Sequence, residues 1–179
     1  MKYRKTDLEG VLVLIQEPIL DSRGAFARVF CRKELEEAGR NFTVCQINKS
    51  CNRLKGTLRG LHFQLPPHQE AKIIQVTKGS IVDVAVDIRR ESETFGKYHA
   101  ETLTDKNGRA LLIPEGCAHG FQTLEDDTEI IYLVSAFYSP QAEGGLRWNN
   151  PGLDIPWPQI PPQVISDKDK AWPNFSFSK

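Results

Sequence analysis

The sequence predicts an all-β fold, an antiparallel sandwich or barrel built from many short strands. Three observations carry this prediction: short apolar segments recur along the chain, turn residues separate them, and almost no helical periodicity lies between them. Parallel α/β folds require crossover helices, and dinucleotide- and NTP-binding folds require glycine-rich motifs; this sequence has neither. With 179 residues, 40% of them hydrophobic and 26% charged, we expect residues 1–179 to form one domain.

The first 50 residues predict two strands, one turn and one helix. Residues 11–15 are uniformly apolar and predict the opening strand. Residues 21–24, Asp-Ser-Arg-Gly, have the composition of a turn. Residues 33–38 predict the one clear helix, because apolar residues lie one turn apart and Gly39 follows as a stop signal. Residues 42–48 alternate between apolar and polar positions and predict the next strand.

The centre of the chain carries the strongest strand patterns. It predicts five further strands, at residues 71–77, 81–88, 98–104, 110–113 and 129–136. Within residues 81–88 four aliphatic residues alternate with polar ones, so that Asp83 and Asp87 share the opposite face. Residues 78–79 predict a turn, and the Asn-Gly pair within residues 105–108 is a strong hairpin signal.

The last part of the chain has a different composition. Six of the 11 prolines and all three tryptophans lie between residues 148 and 173. Because disordered tails are usually poor in aromatic residues, we expect residues 148–179 to form an ordered extended arm that its tryptophans anchor to the barrel.

The charges balance over the whole chain, with 23 basic and 23 acidic residues. This balance disfavours nucleic acid or an anionic membrane as the partner, because both require an excess of lysine and arginine. The balance is uneven along the chain, since residues 1–80 have a net charge of +6 and residues 81–179 a net charge of −6. A basic half of this kind is compatible with a small anionic ligand.

The sequence predicts a cytoplasmic protein with reduced thiols. The N-terminus lacks the apolar stretch of a secretory signal, and no apolar run has the length of a membrane span. The four cysteines form no Cys-x-x-Cys pair. Cys117 lies close to His119 in sequence, but catalytic thiol and imidazole groups usually meet through the fold, so thiol catalysis is disfavoured.

One motif has the spacing of a known barrel. Pro114, Gly116 and His119 resemble the second motif of the cupin barrels, Pro-x-Gly-x-x-His. A metal-binding cupin also needs His-x-His and a nearby glutamate, whereas here His62 is followed by Phe and Gln and the next glutamate is Glu70. We therefore expect no metal site. The alternative for His119 is a core histidine bonded to backbone.

Several multi-residue motifs follow one another in a characteristic order. These are Arg59-Gly60-Leu61-His62, Lys72, Ile113-Pro114-Glu115-Gly116, Ala118-His119-Gly120-Phe121, Tyr132 and Gly145-Leu146-Arg147-Trp148. In this order they resemble the dTDP-4-dehydrorhamnose 3,5-epimerase family, from about residue 10 to residue 170. The resemblance implies an all-β cupin-type double-stranded β-helix, or jelly roll, with short peripheral helices. It also implies a homodimer that exchanges N-terminal strands, and no metal or organic cofactor.

The resemblance implies a substrate and a set of catalytic residues. The substrate is a nucleotide-diphosphate-linked 4-keto-6-deoxyhexose, whose C4 carbonyl acidifies the protons at C3 and C5. His62 matches the catalytic base, and Asp169 matches the carboxylate that orients its ring. Tyr132 matches the acid on the opposite face, and Lys72 matches the cation beside the enolate oxygen.

The same resemblance implies the binding residues. Arg23 and Arg59 match positions that hold the diphosphate, and Tyr138 matches a ring that stacks on the base. The remaining matched ligand contacts are Gln46, Asn48, His119, Glu143 and Lys168.

One position departs from the family pattern. Many members carry a glutamate near the nucleotide base where this chain has Arg28. An acidic acceptor suits the N3–H donor of thymine, whereas cytosine presents an acceptor there, so a CDP-linked sugar is an alternative substrate. Inversion at C3 or C5 alone is a second alternative. A sugar-binding cupin without catalysis is disfavoured, because His62 and Tyr132 are both present.

Overall fold

The apolar segments pair into antiparallel sheets in the computed structural model, which describes residues 1–178. The strands are β1 (Lys2–Lys5), β2 (Leu12–Ile15), β3 (Ile19–Asp21), β4 (Gly24–Phe26), β5 (Gln46–Asn52), β6 (Thr57–Gln64), β7 (Lys72–Lys78), β8 (Ser80–Asp87), β9 (Tyr98–Thr104), β10 (Arg109–Ile113), β11 (Cys117–Thr123), β12 (Thr128–Val134), β13 (Glu143–Gly145) and β14 (Val164–Ile165). The helices are α1 (Arg32–Glu37) and α2 (Asp167–Ala171), and a 3₁₀ turn spans Pro140–Ala142.

Two large sheets form the body of the fold. The first has the strand order β1-β2-β10-β7-β12-β5, and the second has the order β13-β6-β11-β8-β9, with β14 added in parallel to β6. Sequence neighbours such as β11 and β12 lie in different sheets, so the chain crosses between the layers as a jelly roll requires. The strands β3 and β4 form a separate hairpin. The prediction of an all-β cupin-type jelly roll with short helices is confirmed.

The interior of the barrel is filled from both sheets. Ile74 and Leu111 of the first sheet meet Ile81 and Phe121 of the second, and all four side chains are almost fully buried. Burial of each such side chain stabilises the fold by about 1.5–3 kcal/mol. This inner layer is the wall from which the polar groups of the site project.

The outer faces of both sheets are also covered. Leu35 of α1 and Phe42 pack on the first sheet, while Leu153, Ile155 and Trp157 of the C-terminal segment pack on the second. The indole N–H of Trp157 donates to the Trp148 carbonyl at 2.9 Å. Because both faces of β8 are therefore buried, Asp83 and Asp87 are fully buried rather than solvated.

Most predicted strands occur within one or two residues of their predicted bounds, and the helix predicted at 33–38 occurs as α1. The Asn-Gly pair forms a turn, but the predicted hairpin is wrong, because β9 pairs with β8 in the second sheet whereas β10 pairs with β2 and β7 in the first. The strand predicted at 42–48 is wrong at its start, because β5 begins at Gln46 and Phe42 instead packs beside Phe30 under the first sheet. The short strands β1, β3, β4, β13 and β14 were not predicted from the sequence. The longer strands β6 and β11 were also missed, since their glycines and polar residues break the alternation. Among residues 1–178, the structure contains no helix with the length and apolar character of a membrane span.

Candidate active site

His62 and Asp169 form a hydrogen-bonded pair on the second sheet. The strand β6 carries His62, and the first turn of α2 carries Asp169. The side chain of Ser166 caps α2 by accepting from the Asp169 amide at 3.0 Å, which fixes the start of this short helix. His62 Nε2 then lies 2.7 Å from Asp169 Oδ1, and the Gly60 amide donates to Oδ2 at 3.2 Å.

The surroundings of Asp169 keep its carboxylate ionised. Burial alone raises the pKa of this carboxyl, but the hydrogen bonds from His62, Gly60 and Ser166 outweigh burial, and the pKa lies below its ordinary value. In the imidazole tautomer whose Nε2–H donates to this carboxylate, Nδ1 carries the lone pair. Within residues 1–178, Nδ1 has no hydrogen-bond partner. The pair therefore has the arrangement of a general base and its orienting carboxylate.

A second histidine–carboxylate pair lies directly beside the first. His119 of β11 is the cross-strand partner of His62, and its Nε2 lies 2.7 Å from Asp83 Oδ1. Both side chains are buried. The sequence prediction included His119 but not Asp83, and the alternative of a backbone-bonded core histidine is not what the structure contains. The sequence did not mark Asp83, because the alternation set it on the face opposite the aliphatic residues, and only the fold shows that this face turns inward.

Tyr132 of β12 faces these histidines from the first sheet. Its ring meets His119 edge-on, with the centroids 6.2 Å apart, and also packs near Phe121. Burial, together with the neighbouring charge of Asp83, raises the pKa of the Tyr132 phenol above its ordinary value. The phenol therefore keeps its proton at neutral pH, which a general acid requires.

Lys72 lies in a small cavity next to Tyr132. The cavity has a volume of about 220 Å³, and its lining residues are Gln46, Asn48, Glu70, Lys72, Tyr132, Val134 and Tyr138. The strand register explains this grouping, because Val134 pairs with Lys72 on one side and with Gln46 on the other. The Lys72 ammonium lies 3.0 Å from the Glu70 carboxylate, a partner that the sequence prediction missed.

Three predicted residues form a hydrogen-bonded chain that begins at Tyr138, in the lining of this cavity. The Tyr138 hydroxyl donates to Glu143 at 3.0 Å, and the Lys168 ammonium lies 2.5 Å from the same carboxylate. Gln46 joins them by accepting from the Tyr138 amide at 2.8 Å. The Lys168 ammonium lowers the pKa of Glu143, and His62 contributes to the lowering, so this chain also borders the base.

Arg59 extends the site along β6. Its Nε donates to the Asn52 side chain at 2.9 Å, and its exposed guanidinium retains further donors for an anion. Arg59 lies opposite Phe121 in the sheet and close enough to Tyr132 to affect its phenol.

Arg23 and Arg28 lie apart from this group within one chain. Arg23 is bound to Asp21 at the tip of the β3–β4 hairpin, and Arg28 is bound to Glu34 of α1 at 2.6 Å. Neither residue lines the cavity.

Thiol catalysis and metal binding have less support among the described residues. Burial raises the pKa of the Cys117 thiol to about 12, which keeps it protonated and unreactive at neutral pH. Within residues 1–178, no group of three His, Cys, Asp or Glu side chains is arranged to hold a metal ion.

The groups that do converge define a class of protein. An imidazole with an ionised carboxylate partner, a protonated phenol and an ammonium group surround one part of a barrel interior. Together they can remove a proton from carbon, stabilise the resulting oxyanion and return a proton. The fold and the site are those of a cupin-type enzyme of acid–base chemistry.

The comparisons with known proteins identify the family. The chain belongs to the dTDP-4-dehydrorhamnose 3,5-epimerase family, whose model matches residues 5–176, and it is an isomerase. It is 43% identical over 170 residues to the dTDP-4-dehydrorhamnose 3,5-epimerase of Shigella flexneri, covering 94% of this chain and 93% of the relative.

Two solved structures show the same fold. The Bacillus anthracis enzyme, crystallised with TDP and pyrophosphate, has a TM-score of 0.94 and 40% identity, with 97% of this chain and 99% of that chain covered. The Legionella pneumophila enzyme, in complex with dTDP-4-keto-L-rhamnose, has a TM-score of 0.90 and 34% identity, with 97% and 92% covered. The resemblance found in the sequence motifs is thereby confirmed.

Proposed function

We propose that this protein inverts both C3 and C5 of a dTDP-linked 4-keto-6-deoxyhexose, as its relatives' names describe, in deoxysugar and polysaccharide biosynthesis. The observation that carries the proposal is the His62–Asp169 pair with Tyr132 on the facing sheet. This arrangement supplies a base and an acid from two opposite walls of one site. Inversion at carbon needs such an arrangement, because the proton leaves one face and returns to the other.

The chemistry divides among four residues. His62 removes the proton from C3 or C5 through Nδ1, and Asp169 stabilises the imidazolium that forms. The electron pair moves onto the C4 oxygen, where the Lys72 ammonium stabilises the enolate. Tyr132 then donates its phenolic proton to the opposite face of the carbon, and solvent or the imidazolium restores the phenol.

The remaining predicted residues bind the nucleotide and the sugar. Arg59 holds the diphosphate through its guanidinium fork, and Tyr138 stacks on the base. The polar groups placed around the sugar and nucleotide are Gln46, Asn48, His119, Glu143 and Lys168. Gln46 and Asn48 line the cavity with Tyr138, and Glu143 and Lys168 are linked to Tyr138 by hydrogen bonds, which supports their assignment. His119 is buried against Asp83 beside His62, and its assignment rests on the resemblance alone.

Deuterium exchange tests the reaction. Incubation with dTDP-4-keto-6-deoxyglucose in D₂O is expected to place deuterium at both C3 and C5, detected by NMR, and His62→Asn is expected to abolish it. The His68→Asn variant is the matched control, because this exposed histidine is not among the predicted site residues. Exchange at one carbon would establish the single-centre alternative, and exchange at neither would refute the proposal.

The nucleotide is tested separately. The relatives support dTDP, and the Arg28 guanidinium is already paired with Glu34 in this chain. Calorimetric titration is expected to give tighter binding of dTDP than of CDP or UDP. Tighter binding of CDP would assign the alternative substrate and would give Arg28 a direct role at the base, which the Arg28→Glu variant would then reverse.

We infer that the enzyme is a homodimer in which N-terminal strands are exchanged. The β3–β4 hairpin exposes Ile19, Leu20 and Phe26 to 69%, 75% and 73% of their surface, which is unfavourable in an isolated chain. The same hairpin carries Arg23 away from its own site. Docking the hairpin on a second copy would bury the apolar side chains and bring Arg23 to the partner's diphosphate site.

Mixing inactive variants tests whether the site is shared. The Arg23→Ala and His62→Asn variants are each expected to be nearly inactive, and co-refolding them in equal amounts is expected to restore about a quarter of the wild-type activity. The restored activity arises because half of the dimers are mixed and each contains one intact site. No restoration in dimers of proven mixed composition, or a monomer in light scattering, would contradict the exchange.

We also propose a cytoplasmic location. All four cysteines are free and unpaired in the part of the chain that the structure describes, which suits a reducing compartment. Fractionation of the native host with an antibody is expected to place the protein with cytoplasmic markers, and recovery with secreted or membrane fractions would contradict this.

A further inference from the structure

The two cross-strand neighbours of His62 in the second sheet differ in the size of their side chains. One cross-strand partner is His119, and the other is Gly145 of β13, which has no side chain. Because cross-strand partners project on the same face, a side chain at position 145 would stand beside the imidazole. In this structure Trp172 of the C-terminal arm occupies that place.

The fit between Gly145 and Trp172 is close. A Cβ atom at Gly145 would lie 2.6 Å from the indole nitrogen and closer still to two indole carbons, which no side chain tolerates. The φ angle of Gly145 is not in the left-handed region, so the glycine is required by the indole and not by the backbone. The indole in turn meets the His62 ring edge-on, with the centroids 6.3 Å apart and the planes at 67°.

The same short segment therefore delivers two partners to His62. Asp169 lies in the first turn of α2, and Trp172 is the residue that ends this helix. The ammonium of Lys168 lies 5.9 Å above the indole ring, so Trp172 contacts Lys168 as well as the imidazole. The carboxylate fixes one nitrogen of His62, whereas the indole limits rotation of its ring.

The chain beyond Trp172 is tied to the sheet. The Arg147 amide donates to the Pro173 carbonyl at 3.0 Å. The buried side chain of Asn150 accepts from the Phe175 amide at 2.5 Å and donates to the Phe175 carbonyl at 3.1 Å. Phe175 also packs edge-on against Phe95. These contacts hold the indole in place from its C-terminal side.

We propose that Trp172 is a positioning residue for the catalytic base, a role that rests on the proposed function of His62. The indole fills the gap at Gly145, keeps water from the His62–Asp169 hydrogen bond and holds the imidazole in the orientation that leaves Nδ1 free. A hydrogen bond to an ionised carboxylate is stronger where water is excluded. Misplacement of a base by about 1 Å costs roughly 100-fold in rate, so the position in which Trp172 holds the imidazole affects kcat.

Truncation of the indole tests the role. Trp172→Ala is expected to lower kcat about 10–100-fold with little change in KM, and Trp172→Phe to retain most of the rate, because a ring still fills the gap. Trp148→Ala is the matched control, since Trp148 is a half-buried tryptophan of the same arm that packs on the outer face of the sheet. It is expected to lose stability while its kcat stays near that of the wild type.

A glycine substitution supplies a test that simple destabilisation would not pass. Gly145→Ala is expected to displace the indole and to lower kcat as Trp172→Ala does. In the double variant the space is empty, so Gly145→Ala is expected to have little additional effect on kcat. Additive losses in the double variant would overturn the proposal.

Nitrogen-15 NMR of the imidazole separates this inference from the proposed function, because it needs no turnover. The wild type is expected to show one His62 tautomer, with the proton on Nε2, and Trp172→Ala to show averaging between tautomers. An unchanged tautomer and kcat in Trp172→Ala would refute positioning by the indole. A wild type with the single tautomer but no deuterium exchange into substrate would instead refute the proposed function alone.

Discussion

Two histidines on neighbouring strands each bind a carboxylate, yet their surroundings give them different tasks. His119 and Asp83 are both buried, so their pair is closed to solvent. His62 remains one-third exposed while its partner Asp169 is buried, so one ring nitrogen is fixed and the other is accessible. Accessibility on one side and a fixed proton on the other are what a general base needs. The difference in exposure thus supports the proposed role of His62 as the base.

The phenol of Tyr132 permits a prediction at the scale of a single atom. Tyr132→Phe removes the proton donor without changing the shape of the ring, so the fold and dTDP affinity are expected to be kept while kcat falls about 10²–10⁴-fold. Steady-state kinetics and calorimetry measure the two effects. Tyr98→Phe is the control, because its hydroxyl binds the Asp154 carbonyl outside the site. Equal losses of rate in both variants would argue against a specific acid role.

At the scale of elements, a buried carboxylate joins β8 to the loop that follows it. Asp87 accepts hydrogen bonds from Arg89 at 2.7 Å and from Ser92 and Thr94 at 2.6 Å each. Burial alone would raise the pKa of Asp87, but these donors outweigh burial and lower it from 3.8 to about 2. The ionised carboxylate therefore organises the turn between β8 and β9.

This shift predicts how stability depends on pH. Because the folded pKa lies below the unfolded one, ionised Asp87 contributes about 2 kcal/mol at pH 7, and this contribution disappears as the pH falls from about 4 to 2. Asp87→Asn is expected to lower the free energy of unfolding by about that amount at pH 7 and by less at pH 2. Urea titrations at both values measure it. Asp154→Asn, at an exposed aspartate, serves as the control and is expected to be neutral.

At the scale of the whole molecule, the C-terminal arm is a structural layer as well as a carrier of site residues. Leu153, Ile155 and Trp157 cover the outer face of the second sheet, and the chain then returns to pair β14 with β6. Only after this pairing does the chain reach Asp169. The stability of the arm and the geometry of the site are therefore coupled through one continuous segment.

Two tryptophans of the arm are expected to contribute unequally to the free energy of unfolding. Trp157→Ala is expected to lower the free energy of unfolding by about 3–5 kcal/mol, because it leaves a cavity in a buried layer and removes a hydrogen bond. Trp148→Ala is expected to cost less, since Trp148 is half-buried. Chemical denaturation of both variants compares them, and equal losses would mean that the layer does not act as part of the core.

The fold class and the more apolar strands, such as β2, β7, β8 and β12, could be predicted because alternation and turn residues are local properties. The strands β6 and β11 could not, because their neighbours on both sides, not their own pattern, bury their polar residues and glycines. The net charge of +6 in residues 1–80 could likewise be counted from the sequence. The partners of the individual charges could not be predicted in this way. Lys72 faces Glu70 in the cavity, whereas Arg28 is paired with Glu34 outside it.

The sequence by itself determined the all-β class, the family motifs and the identity of His62, Tyr132, Lys72 and Asp169 as candidates. Only the tertiary structure decided which groups are paired. Asp169 reaches His62 across 107 positions of sequence, Asp83 reaches His119 across 36, and Trp172 fills the place beside Gly145. The physical reason is that pairing depends on strand register and on the path of the arm, which arise from contacts between residues distant in the chain.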